Sequence, residues 1–356
     1  MTLKTILSVV GARPQFIKAA PVSRALVGHF NEVVVHTGQH YDYGMSEVFF
    51  KEMDMREPDF NLGAGGGSHG EQTGRMLIEL EKILAQVRPD CVLVYGDTNS
   101  TLAGALTAAK AGIKLAHVEA GLRSFNRSMP EEINRVLTDH VSDLLFCPTD
   151  SAVENLEKEG IRRGVHRVGD VMYDALLHNL ELARGRSDLL HHLNLSRGGY
   201  ALVTIHRAGN TDDPARIKSI LEALGLLPVK VIFPVHPRTR KTINEMKLTV
   251  NSNVSLIDPV GPLDILILQE GADCILTDSG GMQKEAYLLG VRCITLREET
   301  EWVETVLAGW NQLAGVDGAK IKSLYESWHP VGERPVLYGD GHAGEQITEI
   351  LIKNLS

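Results

Sequence analysis

The chain has only four cysteines, and no two of them are spaced as a zinc site or a redox pair requires. Each lies in or beside a short apolar run, which favours buried thiols and a reducing compartment. We therefore expect a cytoplasmic protein. The four are Cys91, Cys147, Cys274 and Cys293.

Long hydrophobic runs are also missing. The apolar residues near the N-terminus, residues 6–10, are followed at once by Gly11-Ala12-Arg13-Pro14, too early for a signal peptide or a membrane span.

Basic residues are outnumbered by acidic ones, 36 to 45, giving a formal net charge of −9. This balance argues against nucleic acid or an anionic membrane as a partner. An anionic ligand would need a local group of basic side chains.

The signatures of several common enzyme classes are absent from the sequence. No Gly-x-Gly-x-x-Gly follows the first predicted strand, and there is no Walker loop. A His-Glu-x-x-His helix and an Asp-x-Asp pair are missing too, and no Gly-x-Ser-x-Gly elbow follows a predicted strand. We expect a site with no nicotinamide cofactor and no metal ion.

Short apolar runs alternate with helical patterns along the chain, which predicts parallel sheets covered by helices on both faces. Strands are predicted at residues 5–10, 33–36, 91–95 and 114–118, and in a second series at 201–205, 231–235, 274–277 and 292–296. At 356 residues the chain exceeds what one core usually supports. The sequence thus predicts an α/β protein with two doubly wound, Rossmann-like domains.

The domain boundary is predicted near residue 180, where a stretch rich in Arg, Ser, His and Gly begins. The N-terminal domain would cover residues 1–180 and the C-terminal domain residues 181–356, and the last helix could pack back on the first domain. Ligands of such sheets bind beyond the carboxyl ends of the strands. The site is therefore expected in the cleft between the domains.

The most informative motif spans residues 278–285, after an apolar strand and at the start of a helical pattern. The free N–H groups of a helix start attract anions. Gly280 and Gly281 would let a phosphate approach the backbone beside Ser279, and Glu285 could accept hydrogen bonds from a ribose. The motif predicts a nucleotide diphosphate site, with an ordinary serine-capped helix start as the simpler alternative.

Basic side chains follow predicted strands in both halves. Arg13 and Lys18 come directly after the first strand, where they could contact pyrophosphate oxygens. His206 and His236 end two strands of the second series, each with an arginine nearby, and could receive a dianionic leaving group. Solvated surface charges are the alternative in both halves.

Acidic side chains follow two neighbouring strands of the first series. Asp97 and Glu119 end these strands, and Glu131 lies at the start of the next predicted helix. Any one of them could simply cap a helix or pair with an arginine. Converging carboxylates shift one another's pKa and can divide acid and base roles, so we expect the three to share a site.

The ordered set of motifs, from residue 11 to about residue 315, resembles the non-hydrolysing UDP-N-acetylglucosamine 2-epimerase family, which has the architecture of GT-B glycosyltransferases. The resemblance implies interconversion of UDP-N-acetylglucosamine and UDP-N-acetylmannosamine without NAD or a required metal. In that family UDP is eliminated to give 2-acetamidoglucal and is then added back. A homodimeric enzyme of polysaccharide biosynthesis is implied as well.

The resemblance also implies roles for individual residues. Asp97, Glu119 and Glu131 match the family's acid–base carboxylates, with the order of proton removal and return left open, and His206 matches its catalytic histidine. The positions that match UDP-binding residues are Arg13, Lys18, His236, Ser279, Gly280, Gly281, Glu285 and Arg297.

Two segments depart from the family pattern. Residues 297–304 read Arg-Glu-Glu-Thr-Glu-Trp-Val-Glu instead of Arg-Asp-x-Thr-Glu-Arg-Pro-Glu, and residues 63–74 replace a segment of the allosteric substrate site of bacterial members. The first departure is closer to relatives acting on UDP-2,3-diacetamido-2,3-dideoxyglucuronate in O-antigen pathways. That substrate, a GT-B glycosyltransferase activity and a nucleotide-sugar sensor are the alternatives.

Overall fold

The structure is a computed structural model that describes residues 3–39 and 56–355, apart from the side chain of Arg238. The chain forms two compact units, one spanning Met1–Leu177 with Val336–Ser356 and the other spanning His178–Pro335. Each unit contains a parallel sheet with helices packed around it, so the predicted α/β class with two Rossmann-like units is confirmed. The predicted division at residue 180 and the cleft between the domains stay predictions.

The first unit contains a seven-stranded sheet in the order β3-β2-β1-β4-β5-β6-β7. Its strands are β1 (Thr5–Val10), β2 (Asn31–His36), β3 (Phe60–Asn61), β4 (Cys91–Tyr95), β5 (Lys114–Val118), β6 (Leu144–Cys147) and β7 (Val165–Arg167). The chain proceeds from β1 towards one edge and returns to place β4 on the other side of β1. The ends of β1 and β4 therefore flank the switch point, where such sheets bind ligands.

Helices of the first unit connect these strands. They are α1 (Arg13–Leu26), α2 (His69–Val87), α3 (Asn99–Lys110), α4 (Pro130–Val141) and α5 (Asp150–Lys158), followed by α6 (Val171–Arg186), which runs into the second unit. Ser68 and Thr98 cap α2 and α3 by accepting backbone N–H groups. The last helix, α15 (Ala343–Leu355), packs against α1 within this unit and buries Ile347 and Leu351.

The second unit contains a six-stranded sheet in the order β10-β9-β8-β11-β12-β13. Its strands are β8 (Tyr200–Thr204), β9 (Lys230–Pro234), β10 (Val254–Ile257), β11 (Cys274–Thr277), β12 (Arg292–Thr295) and β13 (Asn311–Leu313). The order reverses between β8 and β11, so this unit has a switch point of its own. Its helices are α7 (Leu189–His192), α8 (Ala208–Thr211), α9 (Pro214–Gly225), α10 (Pro237–Glu245), α11 (Pro262–Gly271), α12 (Gly280–Leu289), α13 (Val303–Leu307) and α14 (Gly318–Ser327).

The cores consist mainly of the central strands, which are buried on both faces. Every residue of β4 and of β11 is buried, as a parallel sheet between two helical layers requires. All four cysteines are free and buried, and burial raises the pKa of Cys91 and of Cys293 to about 12. Among the described residues, no helix is both long and apolar enough to cross a membrane.

Candidate functional site

Glu119 lies at the end of β5 with an uncommon backbone conformation. Its φ of 71° is in the left-handed region, and its N–H donates to the carbonyl of Phe146 at 3.1 Å. The carboxylate forms an ion pair with Lys18 of α1, and the two side chains are only 14% and 15% exposed. A rare backbone conformation that supports a buried ion pair is a feature of functional sites.

Gly96, at the end of β4, lies directly against this ion pair. A Cβ atom at Gly96 would be 3.1 Å from Lys18 Nζ and 3.2 Å from Glu119 Oε2, so glycine makes the close approach possible. Burial acts to lower the pKa of Lys18, but the charge and hydrogen bond of Glu119, with the charges of Asp97 and Asp170, raise it above its usual value. Lys18 is therefore an ammonium ion surrounded by carboxylates.

Asp97 follows Gly96 and is tied to α4 through two contacts. Its carboxylate pairs with Arg135, and its backbone carbonyl accepts a hydrogen bond from Asn134 at 2.9 Å. Glu131 is exposed in the first turn of α4, four residues before Arg135 and thus on the same helix face. Asp97 and Glu119 are brought together near Lys18, while Glu131 lies on the helix face of Arg135, the residue that pairs with Asp97.

The second glutamate of the Pro-Glu-Glu motif, Glu132, has a structural role. It is 3% exposed and accepts hydrogen bonds from the backbone N–H groups of Ser124 at 2.9 Å and Phe125 at 2.8 Å. Burial acts to raise its pKa, but these hydrogen bonds and the charge of Arg135 hold it below the usual range. The exposed Glu131 is therefore the member of this motif that is free to meet a ligand.

Gln15 connects the ends of β1 and β4, a role that no sequence motif indicated. Its Oε1 accepts the N–H of Gly11 at 2.8 Å, while its Nε2 donates to the carbonyl of Tyr95 at 2.8 Å and to Thr101 Oγ1 at 3.0 Å. The amide thus fixes the turn that leads into α1. Arg13, the first residue of that helix, is exposed beside the turn.

In the second unit, Asp278 organises the turn that carries the predicted histidine. The fully buried carboxylate accepts the N–H groups of His206 and Arg207, both at 3.1 Å, and the side-chain amide of Asn210 at 3.0 Å. His206 Nδ1 lies 3.5 Å from Asp278 Oδ1, and 57% of the imidazole side chain is exposed. His236 is exposed after β9, and the side chain of Arg238 lies outside the described part of the chain.

The helix start after β11 has the predicted form. Ser279 is the N-cap of α12, and its Oγ accepts the N–H of Met282 at 3.4 Å. Gly280 and Gly281 occupy the first turn, whose N–H groups have no acceptor within the helix. The start of α12 combines two glycines with backbone N–H groups that need acceptors from outside the helix, the arrangement that suits a phosphate.

Glu285 lies further along α12 and is partly buried. Burial raises its pKa above the usual value, although a hydrogen bond from Gln269 Nε2, at 2.9 Å, acts in the opposite direction. A carboxyl group with one oxygen already bonded offers its other oxygen to a hydroxyl group. This is compatible with the predicted contact to a ribose.

A negative side chain lies against the first residue of α12. A Cβ atom at Gly280 would be 2.0 Å from Glu301 Oε1, so this oxygen touches the backbone at the helix start. Glu301 Oε2 accepts from Arg297 Nη1 at 2.8 Å, and Oε1 lies 3.5 Å from Arg207 Nη2. Burial acts to raise the pKa of Glu301, but its own backbone N–H and the two arginines keep it low. The start of α12, with the two arginines beside it, therefore stabilises a negative charge.

Two groups of predicted residues result, one in each unit. The first contains Lys18, Asp97 and Glu119 with Arg13 and Glu131 at its margin, and the second contains His206, Ser279, Gly280, Gly281 and Arg297 around the start of α12. In the described part of the chain no cluster of three or more His, Cys, Asp or Glu side chains could hold a metal ion. That the two groups face each other across a cleft stays a prediction.

The two parallel sheets, with a phosphate-type helix start at one switch point and paired acids at the other, place the chain among two-domain α/β nucleotide-binding proteins. The family model described as UDP-N-acetylglucosamine 2-epimerase matches residues 24–352. The chain belongs to this family.

Curated relatives match the chain over nearly its whole length. The chain is 53% identical to a UDP-N-acetylglucosamine 2-epimerase homolog of Methanococcus maripaludis, over 97% of this chain and 99% of the relative. It is 48% identical to the UDP-2,3-diacetamido-2,3-dideoxy-D-glucuronate 2-epimerase of Pseudomonas aeruginosa, over 98% and 99% of the two chains.

Solved structures agree with the family and the fold. The Methanocaldococcus jannaschii UDP-GlcNAc 2-epimerase in complex with UDP-GlcNAc and UDP matches with a TM-score of 0.77 and 45% identity, covering 99% of this chain and 100% of that one. A Polygonum tinctorium UDP-glucosyltransferase matches with a TM-score of 0.64 at 13% identity, over 100% and 93% of the chains, which shows a shared fold alone.

Proposed function

We propose that this protein is a non-hydrolysing UDP-sugar 2-epimerase that interconverts UDP-N-acetylglucosamine and UDP-N-acetylmannosamine. The observation that carries the proposal is the Lys18–Glu119 ion pair, held against Gly96 and Asp97 at the switch point of the first unit. Membership of the family gives the reaction, elimination of UDP to 2-acetamidoglucal followed by re-addition.

The chemistry requires more than one acid–base group. The proton at C2 is barely acidic, and coupling its loss to departure of UDP avoids a free carbanion. Inversion at C2 means that the proton leaves from one face of the sugar and returns on the other. Asp97, Glu119 and Glu131 are the proposed carboxylates, and Lys18 and Arg135 keep two of them paired with a positive charge.

The start of α12 is the proposed diphosphate site. Ser279, Gly280 and Gly281 would donate to phosphate oxygens, while Glu285 would accept from the ribose hydroxyls. His206, fixed by Asp278, would lie beside the departing phosphate. The other residues proposed to contact UDP are Arg13, Lys18, His236 and Arg297.

Deuterium incorporation tests the reaction directly. Purified protein incubated with UDP-N-acetylglucosamine in deuterated water should place deuterium at C2 and form the epimer, as read by proton NMR. Asp97→Asn should abolish both while UDP binding survives. The matched control is Asp150→Asn, because Asp150 also follows a strand end but is exposed on α5 and should leave turnover unchanged.

Three outcomes of this experiment would contradict the proposal. Absence of both exchange and epimer, with this sugar and with the diacetamido sugar, would exclude a 2-epimerase. Tight UDP binding with an unchanged sugar would indicate a sensor. Product that forms only after an acceptor is added would indicate a glycosyltransferase.

A second substrate is favoured by a specific observation. The relative that is 48% identical is named for UDP-2,3-diacetamido-2,3-dideoxy-D-glucuronate. That sugar adds a carboxylate and a second acetamido group, so the site would need further donors for them. Parallel assays of the two UDP-sugars, compared by kcat/KM, decide between them.

We also propose that the enzyme is a cytoplasmic homodimer of polysaccharide biosynthesis. Four free and buried thiols are compatible with a reducing compartment. Support for a dimer comes from α4 and its N-cap residue Met129. Met129, Ile133 and Leu137 are spaced by four residues and are 38%, 46% and 43% exposed. Phe125, just before this helix, is 75% exposed. Contiguous exposed apolar residues of this kind mark association surfaces.

A further inference from the structure

His117 on β5 is buried beneath the group of acidic residues in the first unit. Its side chain has no exposed surface, and both of its ring nitrogens have a partner. Nδ1 lies 2.7 Å from Asp139 Oδ1 on α4, and Nε2 lies 2.8 Å from the backbone carbonyl oxygen of Gly96. Both partners are oxygen atoms of groups that accept hydrogen bonds.

The hydrogen-bond partners decide where the ring protons are. A backbone carbonyl can only accept, so Nε2 must carry a hydrogen. Asp139 Oδ2 accepts the N–H of Gly121 at 3.1 Å and Nη1 of Arg123 at 2.7 Å, as the carboxylate of an arginine ion pair does, so Oδ1 carries no proton and Nδ1 must donate to it. A histidine that donates from both nitrogens is an imidazolium.

The charges around His117 support this protonation state. Arg123 Nη1 pairs with Asp139 Oδ2 at 2.7 Å inside the core, and this buried cation keeps Asp139 a carboxylate. Arg123 also pairs with Glu159 at 2.7 Å, which makes a balanced set of two cations and two anions. Cys147 on β6, which lies within reach of the charges of Asp139 and Arg123, adds no charge of its own, since burial raises the pKa of its thiol to about 12.

We propose that His117, held as an imidazolium, is a positioning residue that keeps the three acid–base carboxylates in fixed positions relative to one another. Its Nε2–H fixes the carbonyl of Gly96, the residue directly before Asp97. Its Nδ1–H fixes Asp139 on α4, the helix whose first turn contains Glu131. Glu119 is two residues further along the chain, directly after β5.

Three elements of the first unit therefore meet at one buried ring. The ends of β4 and β5 and the helix α4 each carry one carboxylate, and His117 is bonded to the two elements other than its own. A neutral ring would lack one of the two donors and would leave a buried acceptor unsatisfied. The inference rests on the proposed function only in taking these carboxylates as the reacting groups.

NMR of the wild-type protein tests the protonation state without reference to activity. Among the 14 histidines, one ring should show two protonated nitrogens in long-range ¹⁵N–¹H correlation spectra recorded near pH 7. Its contacts to Gly96 and Asp139 in nuclear Overhauser spectra would assign it to His117. A neutral-tautomer pattern at this ring near pH 7 would overturn the proposal.

Kinetics test the positioning role. In His117→Gln the amide nitrogen can serve only one of the two acceptors, so we expect kcat to fall about 10²-fold, the usual cost of a small misplacement, with little change in KM or in UDP affinity. The matched control is His166→Gln, in which the histidine of β7, half-buried against Phe146, is replaced in the same sheet. That variant should keep the wild-type kcat.

The remaining outcomes separate this inference from the proposed function. A His117→Gln protein that folds and turns over at the wild-type rate would show that the ring positions nothing. Loss of folding in that variant would leave the NMR assignment as the deciding measurement. If the wild-type protein exchanges no C2 proton, the proposed function fails, whereas the doubly protonated ring can still be observed.

Discussion

Glu32 is a buried carboxyl group in the core of the first unit, away from the proposed chemistry. It is 9% exposed and accepts hydrogen bonds from the hydroxyl groups of Ser8 and Ser23. Burial raises its pKa, although these hydroxyl groups and the charge of Arg56 act to lower it. The folded protein therefore holds this proton more tightly than the unfolded chain does.

The raised pKa of Glu32 predicts a pH dependence of stability with a definite sign. Between the unfolded and folded pKa values the native state binds more protons, so this group makes the free energy of unfolding fall as pH rises. Glu32→Gln, which keeps a hydrogen-bond acceptor, should gain stability over wild type as pH is raised from 4 to 8. Urea unfolding measures this, with the exposed Glu79→Gln as control; a constant difference across pH would contradict it.

The buried carboxylate of Asp278 anchors the turn that carries His206. In Asp278→Asn an amide group would face three N–H donors that now share a buried carboxylate. We expect a loss of about 1–3 kcal/mol in the free energy of unfolding, together with a lower kcat, because the turn that carries His206 loses its anchor. Urea unfolding and C2 exchange rates are the measurements.

The control for Asp278 is the same substitution at a different kind of site. Asp213 caps α9 from an exposed position, and asparagine caps a helix about as well, so Asp213→Asn should behave as wild type. If Asp278→Asn also retained wild-type stability and rate, the buried carboxylate would not be what fixes the turn.

Among the single elements, α12 contains a glycine, Gly281, that packing within the protein does not require. A Cβ atom at Gly281 would have Ser279 Oγ as its nearest neighbour, at 3.8 Å. Gly281→Ala should therefore fold normally and be about as stable as wild type, or slightly more so, because alanine is the better helix former. The open space beside Gly281 is where a phosphate would approach the backbone.

The expected effect of Gly281→Ala is on nucleotide binding alone. The added methyl group would keep the diphosphate from the N–H groups of α12, and we expect the Kd for UDP to rise at least tenfold, roughly the 1.4 kcal/mol of one charge-assisted hydrogen bond. Isothermal titration calorimetry measures this. Gly74→Ala, also at an open position within a helix, should leave the Kd unchanged. Unaltered UDP affinity in Gly281→Ala would place the diphosphate elsewhere.

Predicted strands and observed strands agree best in the two sheet centres. The strands β1, β4, β5 and β11 have the predicted bounds. Sequence patterns missed β3, β6, β7, β10 and β13, which have two to four residues and, apart from β6, are only partly buried. Such strands lack the long apolar run by which a buried strand is recognised.

At the scale of the whole molecule, the apolar residues on α4 predict self-association. Ile133→Glu places a charge in the middle of the exposed row, and we expect it to convert a dimer to monomers because a buried unpaired charge is costly at an interface. Light scattering coupled to size exclusion measures the mass. The control Leu226→Glu changes a residue that is 58% exposed in the second unit and should leave the mass unchanged. A monomeric wild-type protein would contradict the proposed dimer.

The fold class and the positions at which chemistry is expected follow from local residue patterns. Alternating strands and helices predict parallel sheets, and parallel strands bring their carboxyl ends to one edge, so residues after strands could be chosen from pattern alone. Asp97, Glu119 and the helix start at Ser279 were found in this way. Each of these signals is local, since it depends on residue type and on position relative to one strand.

The side chains that hold these positions in place become apparent from the three-dimensional contacts alone. Gln15 bonds to Tyr95, 80 residues away, and His117 bonds to Asp139, 22 residues away. Glu301 lies on the start of a helix from a different loop. These contacts form between backbone carbonyls, N–H groups and carboxylates that come close to one another only when distant strands pair. No residue pattern encodes that approach, because any strand supplies the same backbone groups.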